Sequence, residues 1–120
     1  MTSQDQRRGG PDPAICKPGY TAKINGNVLD LQGHHDFVAA VYAAFPDLNH
    51  IIEDTVADEE KVAVRFILEG THRADFMGIA PTGKRIHVEG IGILQIEDGK
   101  VAELRGVFDQ ASMMQQLGAG

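Results

Sequence analysis

A period of two governs the second half of this chain, and it constrains the fold more than any other feature. From Val62 to Thr71, residues Val62, Val64, Phe66 and Leu68 fall on one side, and Ala63, Arg65, Ile67 and Glu69 on the other. From Lys84 to Glu97 the same rhythm groups Ile86, Val88, Gly90, Gly92, Leu94 and Ile96. Successive side chains of an extended strand point to opposite faces, whereas a helix would scatter these residues around its axis. Both segments are therefore read as long strands, with a third from His50 to Ala57 ahead of them. Glu97-Asp98-Gly99-Lys100 is a tight turn into a last strand whose matching face is Ala102, Leu104, Gly106 and Phe108. Strands joined by short turns run antiparallel, and one strongly apolar side implies a sheet packed over something.

The flanking segments supply what it packs on. Asn25-Gly26, the strongest two-residue hairpin signal, separates Tyr20 to Ile24 from Asn27 to Leu31. Gly33 to Phe45 then places Phe37, Val41, Ala44 and Phe45 at helical spacing, and Pro46 stops the helix. A second amphipathic helix, Gln110 to Leu117, follows the last strand directly, with Met113, Met114 and Leu117 as its inner stripe. Arg73 to Gly83 is too long for a tight hairpin and is read as an ordered loop that folds Phe76, Met77 and Ile79 over one end of the sheet. Antiparallel strands with helices at both ends make an α+β domain.

A chain of 120 residues accommodates one such domain, placed at residues 19–120. Residues 1–18 mix Gly9, Gly10, Pro11, Pro13 and Pro18 with polar side chains, too little apolar surface to offset the entropy of ordering, and are read as a flexible arm. Eleven basic against seventeen acidic residues give a net charge of -6, which repels phosphate backbones, so no nucleic-acid partner is expected. No apolar run approaches the roughly 20 residues a bilayer requires, and the N-terminus lacks the hydrophobic stretch of a secretory signal. The expectation is no membrane association and a cytoplasmic protein. Cys16 has no second cysteine to pair with and is read as a loop residue. His34 and His35 diverge by about 100° on a helix, and no H-x-x-x-H spacing supports a metal, so none is expected.

Three segments together carry a resemblance: AAFPDL at Ala43 to Leu48, GTHRADFMGIAPTGKRI at Gly70 to Ile86, and DGKVAELRGVFDQASMMQQLG at Asp98 to Gly118. They resemble the SnoaL-like polyketide cyclase family, which shares the cone-shaped fold of nuclear transport factor 2 and ketosteroid isomerase. The resemblance implies a curved antiparallel sheet wrapped over helices around an apolar pocket. It also implies ring closure by intramolecular aldol condensation with no metal or organic cofactor. Such chemistry needs a general base beside a carbonyl and hydrogen bonds to the enolate oxygen. The acid/base aspartate of those cyclases, and a histidine two residues before it, align with Gly106 and Leu104. A histidine on the preceding strand aligns with Gly92. Many relatives carry a Glu-His-Trp run with a later Asp; here Glu103, Leu104 and Arg105 precede Asp109, so the Asp is kept while His and Trp are replaced. Relatives also carry one or two helices before the Tyr20 hairpin, which leaves this cone either open or closed by a partner subunit. His72 matches a recurrent family histidine at a strand end, where stabilising a turn is an equally economical role.

Alternation and resemblance together define an expected pocket of Phe37, Val41, Phe66, Gly90, Gly92, Leu94, Leu104, Gly106 and Phe108, apolar and roomy, for a hydrophobic small molecule. Asp109 is the candidate acid/base if its carboxylate faces that pocket beside Phe108. As a helix N-cap it would instead accept a backbone N–H and contribute about 1 kcal/mol. Three readings follow: a cyclase- or isomerase-type enzyme, a non-catalytic ligand-binding module on the same fold, or an oligomeric protein without enzymatic activity. On the opposite, convex face Ile67, Ile91 and Ile93 lie among Arg65, Glu69, Glu89 and Gln95, while His50 and His87 are expected to be exposed. Such a face suits a homodimer or higher homo-oligomer formed by sheet-to-sheet contact.

Overall fold

The computed structural model describes residues 11–118. The chain order is β1 (Cys16–Ile24), β2 (Asn27–Asp30), α1 (Leu31–Ala44), β3 (Asn49–Ala57), β4 (Lys61–Thr71), β5 (Arg85–Glu97), β6 (Lys100–Phe108) and α2 (Gln110–Leu117). The strands form one six-stranded sheet in the order β2-β1-β6-β5-β4-β3. This is the expected α+β class, with one correction to the strand directions. Turn-connected neighbours are antiparallel, but β1 lies parallel to β6, with Ala22 opposite Leu104 and Ile24 opposite Gly106. No hairpin links β1 to β6, so nothing local forces them to run in opposite directions.

Local chemistry explains the turns and helix ends. Asn25 and Gly26 both have positive φ (49° and 86°), as do Asp98 and Gly99 (52° and 75°), the left-handed pair that a two-residue hairpin demands. Helix α1 begins two residues earlier than its spacing suggested because Asp30 caps it, accepting from the Gly33 backbone N–H at 2.7 Å. It ends as Pro46 requires: the Phe45 N–H still reaches the Val41 carbonyl at 2.9 Å, and the next residue has no N–H to continue the ladder. Helix α2 closes on Gly118 in the left-handed conformation (φ 83°).

Alternation on β5 is realised residue by residue, with Ile86, Val88, Gly90 and Gly92 buried and His87, Glu89, Ile91 and Ile93 exposed. The buried side meets α2 through Met113 and Leu117, which join Ala44, Phe45, Phe76, Ile86 and Val88 in the main core. Gln116 then fastens this helix to the strand, its Oε1 accepting from the His87 N–H at 2.6 Å and its Nε2 donating to the His87 carbonyl at 2.9 Å. Those two backbone groups lie beyond the last β5–β6 pair, Gly90 with Phe108, and the glutamine replaces the missing strand.

A second, smaller core gathers Cys16, Tyr20 and Ala22 with Leu29, Leu31 and Leu104 around it. Here two expectations are corrected. Strand β1 starts at Cys16 instead of Tyr20, and Cys16 is a buried strand residue opposite Val101, not a loop residue. Burial, with Asp12 nearby, pushes its thiol pKa up, away from the thiolate form that reacts. The expected arm therefore overlaps β1 at Cys16, Lys17 and Pro18, while its first ten residues lie outside the described ones.

Candidate functional site

Between the β1–β2 hairpin, α1 and the end of β6 lies a cleft of about 380 Å³. Its apolar walls are Ile24, Val28 and Leu29 from the hairpin, Phe37 from α1, Met77 from the long loop and Phe108 from β6. Its polar lining is three neutral amides, Asn25, Asn27 and Gln110. Phe37 and Phe108 face one another with ring centroids 6.4 Å apart. Met77 reaches the cleft because it adopts positive φ (51°) beside Gly78, where the loop doubles back in the Phe76–Ile79 bridge.

Asn25 organises the polar end. Its N–H donates to the Gly106 carbonyl at 3.0 Å, as the last step of the β1–β6 pairing. Its side chain then acts as an extra strand residue: Oδ1 accepts from the Phe108 N–H at 2.9 Å, and Nδ2 donates to the Phe108 carbonyl at 3.2 Å. The backbone donor at Phe108 fixes which end of the amide is oxygen. Nδ2 also donates to Gln110 Oε1 at 3.2 Å, so the first residue of α2 is held against the hairpin turn.

Of the expected pocket, Phe37 and Phe108 line the cleft, and the other seven residues do not. Val41 packs into the main core and Leu104 against the Cys16–Tyr20–Ala22 core. The glycines do not leave open room. The Phe66 ring lies across Gly90, where any Cβ would overlap it, and Leu104 Cδ1 comes within 3.3 Å of where a Gly92 Cβ would stand. Leu94 pairs with Leu104 across the strands, and Gly106 alone has nothing nearer than 3.8 Å to a notional Cβ. Large side chains on neighbouring strands have leaned into the space that glycine provides. The amides of Asn25, Asn27 and Gln110, together with Met77, were not foreseen; Asn25-Gly26 signalled a turn, with no sign that its side chain would face a ligand site.

Asp109 is exposed and caps α2, its Oδ1 accepting from the Ser112 N–H at 3.0 Å. It borders a shallower groove of about 290 Å³ on the convex side, with Arg65, Glu89, Ile91 and Val107. Arg65 there is held by Asp54 at 2.8 Å, Glu53 at 3.2 Å and Glu89 at 3.8 Å. The environment that would favour proton transfer, burial beside Phe108, is thus not the one the carboxylate occupies.

Among the histidines, His34 is tied to the buried Tyr20 by a 3.0 Å hydrogen bond, with the two rings stacked at 6.0 Å. Burial pushes the Tyr20 hydroxyl up to about 12 and lowers the His34 pKa, so both groups are neutral near pH 7. His72 is fully buried against Phe45, ring centroids 5.3 Å apart, and its Nδ1 accepts from the Thr82 N–H at 3.2 Å. That is the turn-stabilising role. His87 pairs with Glu69 at 2.9 Å on the convex face; His50 is exposed, as expected, but its ring stands edge-on to Phe66 on the apolar side. Among the described residues no three His, Cys, Asp or Glu side chains converge as metal ligands would.

A six-stranded sheet over two helices defines an α+β cone of the nuclear transport factor 2 class. The model of the SnoaL-like polyketide cyclases matches residues 18–117, and the chain belongs to that family. It is similar to the aklanonic acid methyl ester cyclase DauD of Streptomyces sp. (strain C5), with 33% identity over 95 residues, 74% of this chain. It spans 58% of that relative's length. Among solved structures, AclR from Streptomyces galilaeus superposes with a TM-score of 0.79 at 28% identity, covering 88% of this chain and 79% of its own. TsrD from Streptomyces laurentii gives 0.79 at 25% identity, covering 89% and 80%. No described helix is long and apolar enough to cross a membrane.

Proposed function

We propose that this chain carries out cofactor-independent acid/base chemistry, of cyclase or isomerase type, on a hydrophobic carbonyl-containing small molecule in the cytoplasm. The observation that supports this most is the composition of the cleft: among the described residues, apolar walls with only neutral amides as polar lining, in a member of a family described by polyketide cyclization. Its volume is in the range of small-molecule sites, about 300–1,000 Å³. Apolar walls favour a polycyclic or aromatic skeleton, and an amide can hold a ketone oxygen without carrying a charge of its own. Asp109 is the proposed base. Its carboxylate borders the neighbouring groove, which shares Phe108 with the cleft, so a ligand reaching past Phe108 would meet it; with Oδ1 engaged as the cap, Oδ2 is the oxygen left for a proton.

One observation favours the second reading, a binding module without catalysis: among the described residues no ionisable side chain lines the cleft. The two readings part over removal of the proton next to a carbonyl. Exchange of the methyl protons of 2-acetylnaphthalene for deuterium, followed by proton NMR, measures that step directly. The catalytic reading expects acceleration by the wild-type chain and a loss of about 10²-fold or more in Asp109→Asn. Asparagine caps a helix about as well as aspartate, so the fold is retained. Binding of the ketone without accelerated exchange would establish the module instead. In either reading, we propose that the convex sheet face pairs with a second copy of the chain.

A further inference from the structure

We propose that Gln110 is the carbonyl-recognising residue of the cleft, a neutral hydrogen-bond donor that places the ketone or enolate oxygen of the ligand. This rests on the proposed use of the cleft and adds the group that orients what enters it. Three amides line the site, and their other commitments distinguish them. Asn25 has no donor left: Oδ1 accepts from the Phe108 N–H, and its two Nδ2 hydrogens serve the Phe108 carbonyl and Gln110 Oε1. Asn27 is exposed at the start of β2, where nothing fixes its rotamer among the described residues. Gln110 is half-buried, and the Asn25 bond to its oxygen determines which end of the amide is engaged. Its two Nε2 hydrogens have no protein acceptor among the described residues, so of the lining amides Gln110 is the one that is both held by a neighbour and left with donors to give.

The arrangement is ordered in three layers. The left-handed turn at Asn25 and the reciprocal bonds to Phe108 hold the asparagine; the asparagine holds Gln110; Phe37 and Phe108 provide the apolar wall beside it. A hydrogen bond received at an amide oxygen strengthens donation from its nitrogen, and a donor already oriented needs no reorganisation when negative charge develops on a carbonyl oxygen. Gln110 therefore sets specificity for a carbonyl over a hydrocarbon of the same shape, whichever residue moves the proton.

The test measures dissociation constants of 2-acetylnaphthalene and 2-ethylnaphthalene for the wild-type chain, Gln110→Met and Gln110→Glu. Methionine keeps the length and removes the donors. Glutamate keeps an acceptor for Asn25, cannot donate, and suits the first turn of a helix, so it guards against misreading a folding defect. The ratio of ketone to hydrocarbon affinity should fall about threefold to tenfold in both variants, the size of one ordinary hydrogen bond. If both ligands bind and the ratio is unchanged in both variants, Gln110 is not the donor and the cleft reading still stands. If neither ligand binds the wild-type chain, the cleft reading and this assignment fail together.

Discussion

At the scale of single residues, the glycines carry the clearest lesson about what packing does with empty positions. Gly90 and Gly106 lie on the same face of adjacent strands and read identically in the sequence, yet a Cβ at Gly90 would overlap the Phe66 ring while one at Gly106 would meet nothing within 3.8 Å. Gly90→Ala should accordingly lower stability by about 1–3 kcal/mol, the usual cost of overpacking. Gly106→Ala should change it by less than about 0.5 kcal/mol, as surface-like substitutions do. Urea denaturation of the two variants measures both, and equal losses would mean that Phe66 does not depend on the space over Gly90. Glycine in a pattern says only that a side chain is missing. Whether a ligand, Phe66 or Leu104 fills the gap depends on neighbouring strands, so alternation could place these glycines on the apolar face but could not say what lies over them.

At the scale of elements, the motifs that carried the resemblance are parts of one structural knot. AAFPDL and GTHRADF meet where α1 ends and β4 ends: the Arg73 N–H donates to the Ala44 carbonyl at 2.8 Å, Phe45 packs on His72 and Phe76, and Asp47 accepts from the Thr71 N–H at 2.7 Å and the Thr71 hydroxyl at 2.8 Å. The Thr71 N–H, then its hydroxyl, hold the Asp47 carboxyl below the ordinary carboxylate range. A depressed folded pKa gives stabilisation that is complete above the unfolded value of about 3.9 and is lost as pH falls through the folded value. Melting temperature followed from pH 7 to pH 2 should therefore drop less steeply below about pH 4 in Asp47→Asn than in wild type. Identical acid limbs would remove Asp47 from this role. Such elements were legible because their signals are local: alternation, Asn25-Gly26, Pro46 and the Asp109 cap all act within a few residues. The start of β1 at Cys16 and its parallel pairing with β6 were not, since both depend on a contact between the two ends of the chain.

At the scale of the whole molecule, the sheet presents two faces of different use. The apolar side holds both cores and borders the cleft, while the convex side exposes Ile91, Ile93 and Val107 around Arg65 and its acidic partners. Pairing of that face with a second copy predicts a dimer by sedimentation, and Ile91→Glu should shift it to monomer by burying an unpaired charge. A wild-type chain that is monomeric across a hundredfold range of concentration would dismiss this interface. The cleft meets the groove of that face only at Phe108 and owes its walls to a turn, a helix, a loop and a strand end, so no single stretch of sequence announced it. Backbone amide shifts during titration with 2-acetylnaphthalene test its assignment as the ligand site most directly. The largest changes are predicted at Ile24 to Leu29, Phe37, Met77 and Gln110; changes confined to the Arg65, Glu89 and Ile91 groove, or none at saturating ligand, would contradict it.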